Sequence, residues 1–396
     1  MSSQTITDIT GVFASGISAG IKKSGAKDLA YIYLPQCHAS AGVFTRNHWA
    51  APCVHYSRSC LAQGTIKAVI VNSGNANAAT GKEGAEDVLT TARTAAELLR
   101  LKPEEVAIAS TGVIGKRLPM DRIISGLKTL LADPYQRNGQ AAVEGIMTTD
   151  KFPKTTFREA VVGKNSIAIG GMTKGCGMIA PNMATNLSFL ATDARIDQSI
   201  LQTLLRQAVD ETFNMTSVDT DTSTNDMLFL FSTGEKHIDQ DNARELADFT
   251  KALTVACENL AVQLVKDGEG ATKVIEVRVL GAASTRDART IARDIANSPL
   301  VKTAVYGEDP NWGRVIMAVG KNPENTLDLT KFELYFGDTQ IMHNGSPLPI
   351  DRDQVRPELQ RDYVTITVKL NVGSAEAKAW GCDLTHGYID INTQYS

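Results

Sequence analysis

The sequence predicts a mixed α/β or α+β fold, on three observations. Short β-like runs alternate with helical patterns through the first 280 residues. After about residue 283 the texture shifts to several hairpin-like strands. The 396 residues, 43% hydrophobic and 21% charged, have ordinary globular composition and ample length for two or three domains.

The individual elements follow from periodicity. AVIVNSGNANA (68–78) reads as a buried strand entering a small-residue loop. Residues 85–101 carry Val88, Leu89, Ala92, Ala95, Ala96 and Leu99 at helical spacing, and Pro103 follows as a stop. EVAIASTGVIG (105–115) is a second strand opening into a loop. Residues 197–213 begin with an Asp N-cap and place Leu201, Leu204, Leu205, Ala208 and Val209 on one side. Residues 243–268 form a long amphipathic helix, with Gly268 near its end. KVIEVRVLGA (273–282) alternates like a half-buried strand. Beyond it come a helix over 285–298, then strands at VKTAVYG, FELYFGDTQIMHNG, DYVTITVKLN, EAKAWGCDL and YIDIN. This places a main domain at 1–282 and a smaller α/β domain at 283–396.

Bulk properties narrow the function. Net charge is −4, and no Lys/Arg cluster reaches five residues, which argues against nucleic acid or an anionic membrane as partner. No stretch approaches 18 apolar residues, and the N-terminus lacks a basic segment leading into a clean apolar run. The six cysteines are scattered, with no CxxC, so reduced cytoplasmic thiols are expected. The six histidines show no HExxH and no zinc spacing, so no metal is expected.

Six loops combine Gly, Asn, Ser and Thr: 71–81, 110–115, 147–154, 174–185, 217–226 and 267–273. One such loop is usually a turn; six point to a polar small-molecule site. They are not a phosphate cradle. Gly112-Val-Ile-Gly115-Lys116-Arg117 lacks the interval and the Ser/Thr of a P-loop, and Gly175-Cys-Gly177 has Ala180 where a third Gly would stand.

The Ala184–Thr185 pair in KGCGMIAPNMATN offers sharper chemistry. A Thr hydroxyl needs a base to act as nucleophile. A Thr at a chain terminus carries one, its α-amine, with a pKa of roughly 7.7–8.0. An internal Thr gains that amine only if the preceding peptide bond breaks. Ala leaves the junction uncluttered, and the nearby glycines permit unusual dihedrals.

GVFTRN (42–47), VNSGNANAATG, STGVIG, IMTTD (146–150), KGCGMIAPNMAT, DTSTND (221–226), DGEGATK, DPNWGR (309–314) and AWGCDL (379–384) occur in this order along the chain. Together they resemble the ornithine acetyltransferase family, glutamate N-acetyltransferases of arginine biosynthesis. The resemblance implies an αββα-type sandwich shared with N-terminal-nucleophile aminopeptidases, plus a smaller C-terminal domain. It implies self-cleavage into 1–184 and 185–396, with Thr185 as nucleophile, and association as two copies of each fragment. Thr111 and Gly112 match the oxyanion hole. Thr148, Lys174, Thr185, Glu269, Asn392 and the terminal hydroxyl residue, here Ser396, match substrate contacts. The substrates implied are N-acetylornithine and glutamate, with no cofactor. Acetyl-CoA stays open as a second donor, since the family holds members of both kinds. The chain departs from the family at Cys176, where Ser is usual, at Thr220, where Gly is usual, at Asn186, where Met is common, and in a tail one residue short. An amidase or aminopeptidase using the same terminal Thr, with water as acceptor, is the rival reading. An uncut amino-acid-binding protein is a more distant one.

Overall fold

The computed structural model describes residues 4–180 and 186–393. The chain divides into two compact units. The first takes the described residues of 1–175, 181–210 and 222–260. It holds two sheets and the strands that the polar loops leave from.

The first sheet has the order β1 (Phe13–Ile17), β2 (Leu29–Tyr33), β4 (Ala68–Asn75), β5 (Val106–Val113). The second has the order β3 (Ala39–Phe44), β10 (Met227–His237), β8 (Leu187–Arg195), β7 (Asn165–Lys174), β6 (Lys154–Val162). Pairing is antiparallel except for β4–β5 and β8–β10. Val69, Val71 and Ile32 of one sheet share a core with Met172, Phe189 and Phe229 of the other. β2, β3 and the first six residues of β10 are buried at every position, so each sheet is covered on both faces. LAYIY of β2 and MLFLF of β10 accordingly read as apolar runs without alternation. The α+β class is as expected.

Six helices complete the unit: α1 (Pro52–Gln63), α2 (Gly81–Leu99), α3 (Met120–Leu130), α4 (Gly139–Ile146), α5 (Gln198–Glu211) and α6 (Ala243–Lys266), the last two running into the second unit. The periodic residues of 85–101 are buried in α2, apart from Leu89, which is 39% exposed. All five apolar positions read over 197–213 are buried in α5. Helix α4 lies tightly on β1. A Cβ on Gly16 would sit 2.2 Å from the Ala141 carbonyl oxygen, so only glycine fits there.

The second unit takes 176–180, 211–221 and the described residues of 261–396. Its seven-stranded sheet has the order β14 (Ser346–Pro347), β13 (Thr339–His343), β12 (Glu333–Phe336), β15 (Tyr363–Lys369), β11 (Val274–Ala282), β16 (Ala375–Cys382), β9 (Thr216–Ser217). The expected boundary at 282/283 is therefore misplaced. β11 pairs with both β15 and β16, so it is an inner strand of this sheet. Helices α7 (Thr285–Asn297), α8 (Pro299–Tyr306), α9 (Trp312–Val319), α10 (Arg352–Leu359) and α11 (His386–Asn392) complete it.

Two expected strands are helices. VKTAVYG lies in α8, started by the Ser298 side chain accepting from the Val301 N–H and by Pro299 in the first turn. YIDIN lies in α11, capped by Thr385.

Thr220 has φ +70°, a left-handed conformation that a β-branched residue adopts at a cost of roughly 1–2 kcal/mol. Thr220→Gly should therefore stabilise the protein by on the order of 1 kcal/mol, read as a higher urea midpoint. Gly16→Ala should lower that midpoint. A lower midpoint for Thr220→Gly would contradict the assigned backbone.

Candidate active site

β4 and β5 are parallel and joined through α2, so their C-terminal ends open side by side, where such sheets commonly present ligand-binding loops. Gly74 faces Gly112 across this pair. Gly112 has φ +130°, and a Cβ there would lie 2.4 Å from the Gly74 carbonyl carbon. The position thus demands glycine on both conformational and steric grounds.

Side-chain amides stitch the loops around these ends together. Asn72 Nδ2 donates to the Asn75 carbonyl at 2.8 Å, and Ser110 Oγ donates to Asn72 Oδ1 at 2.7 Å. Asn75 Nδ2 reaches the Arg117 carbonyl, and Asn77 Nδ2 the Gly84 carbonyl. Asn225 Nδ2 joins the carbonyls of Ala76 and Ser110 at 2.6 and 2.9 Å. The sequence reading assigns this polarity to a bound molecule. Much of it instead satisfies buried loop backbone, which must find partners somewhere.

Thr111 and Lys174 are brought together. Lys174 ends β7, and its Nζ donates to Thr111 Oγ1 at 2.9 Å. A hydroxyl that accepts from an ammonium keeps its own O–H to donate. Next to Lys174, the Gly175 N–H donates to Asp150 Oδ1 at 2.6 Å. The other oxygen of Asp150 accepts the Thr148 N–H at 2.8 Å. Lys154 Nζ lies 2.7 Å from Asp150 Oδ1, with both side chains fully buried. Burial by itself would raise the Asp150 carboxyl. The charges of Lys174 and Lys154 and the hydrogen bonds outweigh it and hold the group at about 2. Lys22 completes the cluster, its Nζ donating to the carbonyls of Lys27 and Met147. Its pKa is lowered, chiefly by burial and against the pull of Asp28 and Asp150, with Lys174 adding to the lowering.

Within the second unit, Glu269 and Asn392 meet. Asn392 Nδ2 donates to Glu269 Oε2 at 3.1 Å and to the Tyr388 carbonyl at 2.9 Å. The Glu269 N–H donates to the Cys176 carbonyl at 2.8 Å, and Cys176 Sγ lies 3.9 Å from Glu269 Oε1. A Cβ on Gly177 would lie 2.4 Å from Glu269 Oε2, so this carboxylate sits directly over the Cys176–Gly177 backbone. Asp219 accepts the N–H groups of Met178 and Ile179 and clamps the same segment.

Thr111, Gly112, Thr148 and Lys174 thus form one cluster, and Glu269 and Asn392 another. Ala184, Thr185 and Ser396 lie outside the described residues. Leu187, two residues after Thr185 in sequence, is the register partner of Lys174 across β7–β8. Sequence reasoning missed Asp150, Lys154, Lys22 and Asp219. The first two stand in the polar loop 147–154, MTTDKFPK, at the i, i+4 spacing of an ion pair. Among the described residues, no group of three or more His, Cys, Asp or Glu could hold a metal. No helix among them is long and apolar enough to cross a membrane.

Asp150→Asn takes the carboxylate away from the buried Lys154 ammonium and should cost about 3–5 kcal/mol at neutral pH. The folded carboxyl lies at about 2, below the roughly 3.9 of an unfolded Asp. Its stabilisation is therefore complete above about pH 4 and is lost as the pH falls towards 2. Urea titrations should show that loss, on the order of 2 kcal/mol, in the wild type and not in Asp150→Asn. An identical pH dependence in both proteins would contradict the pairing.

Comparison with known proteins agrees with this arrangement of motifs. The chain matches the ArgJ family over residues 13–396. It is 45% identical over 395 residues to the arginine biosynthesis bifunctional protein ArgJ of Symbiobacterium thermophilum, covering 98% of each chain. It is 43% identical to the Gluconobacter oxydans protein of that name, covering 98% of this chain and 93% of the other. The crystal structure of the Bacillus halodurans ArgJ protein, at 2.00 Å resolution, is similar with a TM-score of 0.51 and 42% identity. That match covers 53% of this chain and 100% of the solved one. With the match running through nearly its whole length, the chain belongs to the ArgJ family.

Proposed function

We propose that this protein is a glutamate N-acetyltransferase, which moves acetyl from N2-acetyl-L-ornithine to L-glutamate through an acetyl-threonine at Thr185. The observation that carries the reading is the 2.9 Å bond from Lys174 to Thr111. It joins a cation suited to a substrate carboxylate to a hydroxyl suited to an oxyanion. Membership of the ArgJ family supplies the arginine-biosynthetic context.

Maturation comes first. Thr185 Oγ attacks the Ala184 carbonyl carbon, the peptide C–N bond breaks, and water hydrolyses the resulting ester. The products are an Ala184 carboxylate and a free Thr185 α-amine. The Bacillus halodurans chain is matched whole by just over half of this one, about the share that a 185–396 fragment would be, which supports a two-chain protein.

Transfer follows. Thr185 Oγ attacks the acetyl carbonyl of the donor, and the terminal amine takes its proton. The tetrahedral oxyanion is held by the Thr111 hydroxyl and the Gly112 N–H, a term typically worth about 3–4 kcal/mol per donor. The amine then returns the proton to the departing nitrogen, and ornithine leaves. The amine of glutamate attacks the acetyl-threonine and restores the free hydroxyl. Both substrates share an α-amino acid backbone. Lys174 pairs with the α-carboxylate, Glu269 attracts an ammonium group, Asn392 orients Glu269, and Thr148 donates its hydroxyl. In the assembled enzyme two copies of each fragment associate.

Initial velocities at several glutamate concentrations should give parallel lines, as a ping-pong cycle requires. Lys174→Gln should lower kcat/KM by roughly a hundredfold, since a desolvated charge pair to substrate is lost. Intersecting lines with no burst of ornithine would overturn the mechanism. Acetate release without glutamate would assign the protein to the hydrolases.

A further inference from the structure

Residues 42–47, Gly-Val-Phe-Thr-Arg-Asn, take no part in the chemistry above. They line an open cavity of about 1000 Å³ within the first unit. α1 and α5 provide its other walls. The cavity is basic, although the chain as a whole is acidic. Arg46, Arg58 and Arg206 line it together with His48 and His55, and no carboxylate does. Among the described residues, none of these three arginines pairs with a carboxylate.

The cavity is also braced. β3 is an edge strand, and its backbone at Gly42 is capped on both sides by the Gln202 amide, at 3.0 and 3.1 Å. The Arg58 guanidinium is fixed by one bond to the Thr45 carbonyl at 3.0 Å and by the Phe44 ring, 5.4 Å away. Its remaining N–H groups are left to donate. Trp49, between His48 and Ala50, is 73% exposed. Trp49 is not itself a lining residue, but an exposed indole between two lining residues, together with guanidinium groups inside the cavity, suits a ligand with a base at one end and phosphates at the other.

We infer that this cavity binds a nucleoside polyphosphate, with its phosphates on Arg46, Arg58 and Arg206 and its base against Trp49. The volume exceeds the need of an inorganic anion, and the apolar walls at Phe44 and Leu61 suit an organic one.

The test is titration calorimetry of the purified protein with ADP and with inorganic diphosphate, at low salt. The variants are Arg46→Ala/Arg58→Ala, Arg206→Gln and Trp49→Leu. ADP should bind saturably and at least about tenfold more weakly to either arginine variant. Trp49→Leu should weaken ADP and leave diphosphate unchanged. Acetyl transfer should stay at its wild-type rate in every variant, so failure of the transfer reading would appear separately. No saturable ADP binding up to about 1 mM, or unaltered affinity in Arg206→Gln and the double variant, would overturn the site. Diphosphate binding as tightly as ADP, with Trp49→Leu silent, would overturn the nucleoside assignment.

Discussion

The first cluster of the candidate site depends on one buried carboxylate. Asp150 ties the N–H of Gly175, the N–H of Thr148 and the ammonium of Lys154 to a single point. The 148–154 loop is thereby held to Gly175, at the end of β7. Removing two charges from water is expensive, and a buried pair repays this only when the remaining lone pairs are also satisfied. Asp150 meets that condition through two backbone donors. Lys174, immediately before Gly175, is thus aimed at Thr111 by its neighbour's bond as well as by its place in β7.

This carboxylate also sets the charge balance. Lys22, Lys154 and Lys174 are three cations beside two carboxylates, Asp28 and Asp150, so the cluster keeps excess positive charge. A site of that sign favours substrates that carry a carboxylate, and ornithine and glutamate derivatives do. In the second unit the sign is reversed. Glu269 and Asp219 both bear on residues 176–179, through the Cys176 carbonyl and the N–H groups of Met178 and Ile179. Met178 and Thr220 both sit at positive φ beside that clamp, a conformation that persists only where surrounding contacts enforce it.

The long periodic helices were legible because burial of one face leaves a trace every three to four residues. α2, α5, α6 and α7 appear where the pattern places them. Stretches of five to seven residues carry less information. VKTAVYG and YIDIN are rich in strand-forming residues, yet the caps at Ser298 and Thr385 decide for helix. The domain boundary was obscured because β11 precedes the change in texture yet lies inside the second sheet. Thr111, Lys174 and Glu269 stand in motifs that the sequence singles out, and the structure brings Thr111 to Lys174 and Glu269 to Asn392. Asp150 was not legible, since a buried ion pair is a property of tertiary structure. The polar loops misled in part because amides that serve a ligand and amides that serve a loop look the same in a sequence.

The central claim is that Thr185 becomes a chain terminus and so acquires its own base. The intact mass of the purified protein, beside that of Thr185→Ala, tests it most directly. The account predicts fragments of 184 and 212 residues in the wild type and a single chain of 396 in the variant. A single uncut chain in a wild-type preparation active in acetyl transfer would contradict it, because the proposed base would then not exist.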